Sequence, residues 1–141
     1  MSGIDRFVKE QKQDFNIALS EIKSGRKKSH WMWYIFPQLK GLGMTSTADY
    51  YGIDGIAEAR EYLLDEYLAN NLKTISNALL DLEESDPEAV LGYPDNLKLR
   101  SCMTLFYYAS DDEDMKAVYK AVIDKYYAGE FDYRTEEMLG V

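Results

Sequence analysis

Apolar side chains recur at helical spacing along most of this chain. Ile4, Phe7, Val8, Phe15, Ala18, Leu19 and Ile22 stand three, four or multiples of a turn apart, which predicts one amphipathic helix, or two joined near Gln13. Asp5 and Asp14 are candidate N-caps and Ser24-Gly25 a candidate stop. The apolar run from His30 to Ile35 is too short for its period to separate strand from helix, and a short helix is favoured. Pro37 disfavours helical geometry at Phe36 and supplies no amide donor, so regular structure should end there. Gly41-Leu42-Gly43 and Thr45-Ser46-Thr47 then read as an ordered loop.

After Asp54-Gly55 the period returns through Ile56, Ala59, Tyr62 and Leu63, followed by a packed face at Leu68, Leu72, Ile75, Leu79 and Leu82. Asp86-Pro87-Glu88 has the form of a helix start, with an aspartate cap and proline in the first turn, and Gly92 closes that turn. Pro94-Asp95 opens a helix carrying Leu99, Met103 and Phe106 on one face. Its successor begins at Asp111 to Asp114, where carboxylates suit the positive end of the dipole, and buries Met115, Val118, Tyr119, Val122, Ile123 and Tyr126 before Gly129. The tail Thr135 to Leu139 predicts a last helical turn. No sustained period-two stretch bounded by hairpin turns occurs. The expectation is an all-α fold: a compact multihelical single domain over residues 1–141, with about six to eight helices and no significant sheet.

Composition supports that outline and narrows the function. At 141 residues the chain can bury a core without disulfides or metal. A net charge of -9 at pH 7 repels phosphate backbones and anionic membrane surfaces, so neither nucleic acid nor membrane is expected as a partner. The cations are uneven, however: Lys23, Arg26, Lys27 and Lys28 fall within six positions, and such a patch can take a small anion. The single cysteine, Cys102, cannot form an internal disulfide. Met1-Ser2-Gly3-Ile4-Asp5-Arg6 lacks the apolar core of a secretory signal. No apolar run approaches the roughly 18 residues that span a bilayer. A cytoplasmic protein, monomeric or dimeric, is the expectation.

Candidate chemistry concentrates in Arg26 to Gln38, where a cationic cluster runs into an aromatic block. His30 is the only histidine, and both tryptophans, Trp31 and Trp33, lie beside it. Imidazole is the side chain whose unperturbed pKa lies near neutrality, which makes His30 the candidate catalytic acid or base. Lys28, Ser29, Trp31, Trp33 and Gln38 are candidate binding residues, since polar groups flanking aromatics furnish many small-molecule pockets. The competing account is packing: Trp31, Trp33, Ile35 and Phe36 as core side chains with His30 bonded to a carbonyl. A second set, Lys98, Arg100, Ser101 and Thr104, shares a predicted helix. Lys98 and Arg100 are suited to a carboxylate or phosphate, or to ordinary pairing with Asp95 or Glu88. Arg6 carries the same ambiguity, and Asp95 or Asp132 is a candidate to orient His30.

The histidine and cysteine counts exclude the common zinc sites, no calcium loop is present, and Asp111 to Asp114 are expected to cap a helix. Gly41-Leu42-Gly43 lacks the third glycine and preceding strand of a dinucleotide fingerprint. No metal is expected, and the sequence identifies no particular cofactor, which stays unknown.

Asp5-Arg6-Phe7-Val8, His30-Trp31-Met32-Trp33-Tyr34-Ile35-Phe36-Pro37-Gln38, Gly41-Leu42-Gly43, Pro94-Asp95, Lys98-Leu99 and Ser101-Cys102-Met103-Thr104-Leu105-Phe106 together resemble the bacterial family called domain of unknown function 1810, over nearly the whole chain. The resemblance implies a compact multihelical domain and no assigned activity. The family usually has a second serine where Cys102 stands, so it does not support a thiol nucleophile. The functional expectation is a small anionic or planar metabolite, nucleotide-like, bound between the His30 segment and the Lys98 to Thr104 helix. The alternative is a protein-interaction or structural module in which Tyr50, Tyr51, Tyr107 and Tyr108 meet a partner.

Overall fold

A computed structural model describes residues 3–141. Met1 and Ser2, which open the segment examined for a secretory signal, lie outside the described residues. Among the described residues, nine helices run in the order α1 (Asp5–Lys23), α2 (Met32–Ile35), α3 (Ser46–Tyr51), α4 (Gly55–Leu64), α5 (Glu66–Asp81), α6 (Pro87–Leu91), α7 (Asp95–Ala109), α8 (Glu113–Tyr127) and α9 (Tyr133–Leu139). The described residues contain no sheet, only an isolated parallel bridge between Leu39 and Ile53. None of their helices is long and apolar enough to cross a membrane.

The helix count exceeds the expected six to eight, chiefly because of α3. Its sequence, Ser-Thr-Ala-Asp-Tyr-Tyr, buries no residue, so it carries no apolar period to detect. It exists because the Thr45 hydroxyl accepts from the Ala48 amide at 3.0 Å, satisfying one of the orphan donors of a first turn. The segment read as loop is therefore a capped helical turn.

Four later helices, α5, α6, α8 and α9, start on a capping aspartate. Asp65 accepts from Leu68 at 3.0 Å, Asp86 from Glu88 at 2.9 Å, and Asp132 from Thr135 at 3.0 Å. Asp112 alone of the acidic run accepts from two amides, those of Asp114 and Met115. The first helix departs from expectation: α1 is continuous, and Ile4 stands at its N-cap with no side-chain bond. Asp14, the other candidate cap, lies in mid-helix and accepts from the Tyr34 hydroxyl.

Helix α7 is the hub, packing against α4, α6, α8 and α9, while α1 contacts α2 and α5. Phe7, Tyr62, Phe106 and Tyr119 form a chain of buried rings with successive centroids 5.3, 4.9 and 6.4 Å apart. Most polar groups inside are partnered, the Tyr119 hydroxyl being an exception. The Gln11 amide donates to the Tyr34 carbonyl at 2.7 Å and the Tyr62 hydroxyl at 2.9 Å, and its oxygen accepts from Asn71 at 3.0 Å. One side chain thus ties α1 to α2, α4 and α5, which fixes the short aromatic helix against the core.

Candidate functional site

The residues flanking α2 divide sharply. Trp31 is 1% exposed, and its indole donates to Glu21 at 2.9 Å. The same carboxylate accepts from the Lys28 and Ser29 amides at 2.7 and 2.9 Å and from the Ser29 hydroxyl at 2.5 Å. Glu21 therefore clasps the connection from α1 to α2. Its partial burial raises the carboxyl pKa, but the bonds from Ser29, Lys28 and Trp31 outweigh burial and hold it at about 2 against an ordinary 4.5.

That sign fixes a pH dependence. The clasp stabilises fully above the ordinary glutamate range and is lost as pH falls from about 4.5 toward 2. Glu21→Gln is expected to cost about 1–2 kcal/mol at pH 7, the low end for a charged acceptor because water still reaches it. Urea midpoints at pH 7 and pH 3 check this: the gap between wild type and variant should narrow at the lower pH.

His30 and Lys28 are exposed. Among the described residues, the only bond at His30 is one its backbone carbonyl accepts from the Tyr34 hydroxyl, at 3.4 Å. Neither acid considered as its orienting partner is engaged with it: Asp95 pairs with Lys27 at 3.0 Å and Lys98 at 3.5 Å, and Asp132 caps α9. Lys28, Ser29, His30 and Trp31 thus stand apart from the second motif.

Trp33 does not. It is half-buried and lines a cleft of about 420 Å³ together with Gln38, Lys98, Arg100 and Ser101. The aromatic segment and the α7 motif converge as anticipated, though through fewer residues. Trp33 and Trp31 separate because α2 is a single turn starting at Met32: positions two apart point to different sides, one inward and one along the surface. The Lys98 ammonium lies 5.3 Å from the Trp33 ring centroid, within cation–π range.

On α7, Ser101 donates back to the Leu97 carbonyl at 3.3 Å, which leaves its oxygen able to accept. Thr104 is fully buried and outside the cleft. Its hydroxyl donates to the Arg100 carbonyl at 2.7 Å and accepts from the Asp132 amide at 2.9 Å. It is the post to which the turn before α9 is tied. Cys102, one residue past Ser101, is fully buried, and burial pushes its thiol well above the ordinary range, as suits an inert packing residue.

Arg100 is the most telling lining residue. Its guanidinium carbon lies 5.5 Å from the Tyr127 ring centroid, yet its Nε is buried without an acceptor. A buried donor left unpaired is unfavourable, and the residue that carries it lines the cleft. Two further charges line the cleft, Asp132 and Arg134. Arg134 is a lone arginine in an acidic tail, and no pattern in the sequence distinguishes it.

The roof of the cleft, Leu42 to Thr45 with Ala48, owes its closeness to Gly43. A Cβ there would stand 2.4 Å from the Ala48 Cβ, so only glycine lets the loop lie on α3. The loop is anchored where the Ile53 amide donates to the Gln38 carbonyl and the Lys40 amide to the Ile53 carbonyl, each at 2.9 Å. Arg6 anchors it from behind. It is buried, pairs with Glu58 at 2.8 Å, and donates to the Tyr50 and Gly52 carbonyls, both at 2.8 Å.

The tyrosines proposed to meet a partner are mostly engaged within the fold. Tyr107 and Tyr108 pack on Phe131, at 4.9 and 5.6 Å between centroids, and Tyr108 donates to Glu136. Tyr51 lies between the rings of Phe7 and Tyr34.

The family model for the protein of unknown function DUF1810 matches residues 1–139. Among solved structures, the crystal structure of a conserved hypothetical protein from Mycobacterium tuberculosis is similar, with 38% sequence identity, a TM-score of 0.92, and coverage of 98% of this chain and 96% of that chain. No curated protein matches significantly.

Proposed function

The chain belongs to the DUF1810 family, and from the chemistry of its cleft we propose that it is a single-domain receptor for a small anionic metabolite. The observation that carries this reading is the Arg100 guanidinium, whose buried Nε lacks an acceptor at the wall of a cleft shared with Trp33, Gln38, Lys98 and Arg134. Three cations and one carboxylate face this space on a molecule of net charge -9, so the cleft is a local positive site on a negative surface. Such focusing raises the local concentration of anions. The volume of about 420 Å³ falls in the range of about 300–1,000 Å³ usual for small-molecule sites.

In this scheme Arg100 and Arg134 bind negative charge, Lys98 adds to the positive field, Trp33 supplies a flat apolar face, and Gln38 and Ser101 supply hydrogen bonds. Lys28, Ser29, His30, Trp31 and Thr104 have no part in contacting the ligand. Thermal unfolding across a library of anionic metabolites tests the reading. A ligand at ten times its Kd should raise the Tm by about 3–6 °C, and Arg100→Gln should weaken binding about ten- to a hundredfold, cutting the shift at the same concentration to below about 2 °C. If no anion at millimolar concentration stabilises the wild type, the reading is wrong.

A further inference from the structure

The charges in the cleft are not spread evenly among their partners, and this inequality distinguishes one end of the ligand from the other. Lys98 is already committed, shared between Asp95 at 3.5 Å and the Trp33 ring. Arg100 and Arg134 have no such carboxylate partner: Arg100 packs on the Tyr127 ring, but among the described residues neither guanidinium makes an ion pair or donates a hydrogen bond, and the Arg100 Nε is buried in that condition. Two guanidinium forks without an acceptor on one cleft match the several oxygens of a tetrahedral dianion better than the two of a carboxylate.

The remaining lining groups ask for something else. Trp33 offers a half-buried aromatic face, and the Gln38 amide offers donors and an acceptor together, the complement of a heterocycle edge. Asp132 uses one carboxylate oxygen, Oδ2, to cap Thr135 through both its amide and its hydroxyl. Its Oδ1 accepts no bond among the described residues, which leaves an acceptor for hydroxyl donors. A bare phosphate has no use for Trp33 or Gln38, and an uncharged nucleoside has none for the arginines.

We propose that the cleft takes a nucleoside monophosphate, with its phosphate on Arg100 and Arg134, its sugar hydroxyls toward Asp132, and its base against Trp33 with Gln38 at the base edge. This rests on the anion-receptor reading and deepens it. The cleft selects by requiring both ends, because each end alone leaves one set of lining groups without its counterpart.

Calorimetric titration of the full chain with sodium phosphate, the four common nucleosides and AMP, GMP, CMP and UMP tests it. At least one monophosphate should bind about tenfold or more tightly than inorganic phosphate and than its own nucleoside. Arg134→Gln should weaken that monophosphate about tenfold and leave the nucleoside unchanged. Trp33→Ala should bring the monophosphate to the affinity of inorganic phosphate, and Trp33→Phe should retain most of the preference. If inorganic phosphate binds as tightly as every monophosphate, the base site is refuted while the anion receptor stands. If a nucleoside equals its monophosphate, the phosphate site is refuted. If none of these probes binds but other anions in the wider thermal screen do, this inference alone falls; if neither set binds, both readings fall together.

Discussion

Replacing Arg6 with methionine is expected to destabilise the protein by about 3–5 kcal/mol, the cost of leaving a buried charge pair half-made. Arg6 makes full use of its five donors. Nε reaches the Tyr50 carbonyl, Nη1 the Gly3 carbonyl and Glu58 Oε2, and Nη2 the Gly52 carbonyl and Glu58 Oε1. Its guanidinium carbon also lies 4.4 Å from the Phe7 ring centroid. Methionine fills much of the space but strands three carbonyls and a carboxylate. Because the Glu58 side chain keeps 15% exposure, the loss should sit near the lower end of that range. Arg6→Lys should recover only part of it, since an ammonium cannot grip both carboxylate oxygens in a fork.

The same pair responds to acid in a defined direction. Burial raises the Glu58 carboxyl pKa, but the Arg6 and Asp54 bonds and the Arg6 charge bring it below the ordinary value. Its stabilisation is therefore present at neutral pH and is lost as pH falls through the lowered folded value. Urea unfolding at pH 7 and pH 3 should show the gap between wild type and Arg6→Met shrinking at the lower pH. A gap that does not change would separate the loss from the charge pair. The effect also reaches the cleft, because two of the carbonyls bound by Arg6, those of Tyr50 and Gly52, lie at the end of α3, which carries Ala48 in the cleft roof. Binding should weaken in Arg6→Met even under conditions where it remains folded.

Much of this was legible from spacing. The faces of α1, α5, α7 and α8 follow the apolar period because their burial drives them, and Asp86 and the Asp111 to Asp114 run announced their helices through capping chemistry. The meeting of Trp33 and Gln38 with Lys98, Arg100 and Ser101 was anticipated by chemical type alone. What escaped was whatever tertiary geometry decides. Helix α3 has no buried face to generate a period. Arg134 has no local company to single it out, and its segment reaches the cleft through the tie between Thr104 and Asp132 and the packing of Phe131 on Tyr107 and Tyr108. Arg6 and Lys27, among equally plausible surface cations, turn out to be paired because Glu58 and Asp95 arrive from 52 and 68 positions away. Trp31 and Trp33 are indistinguishable as letters; the start of a one-turn helix between them sends one into the core and the other to the cleft.

That last division yields the second large effect. Trp31→Ala should cost about 3–5 kcal/mol, the usual penalty for emptying a buried tryptophan site, with the Glu21 clasp losing its indole donor besides. Trp33→Ala should cost about 1 kcal/mol, since the ring is only half-buried. For binding the order reverses. Both tryptophans contribute fluorescence, and the chain has just these two, so Trp31→Phe leaves Trp33 as the sole emitter and Trp33→Phe leaves Trp31. Ligand addition should change the emission of Trp31→Phe and leave that of Trp33→Phe nearly constant. A ligand-dependent signal confined to Trp31 would move the binding surface to the other side of α2, against the core and away from Arg100. Burial and binding are competing uses of the same aromatic surface, and a ring that is 1% exposed has already been consumed by the first.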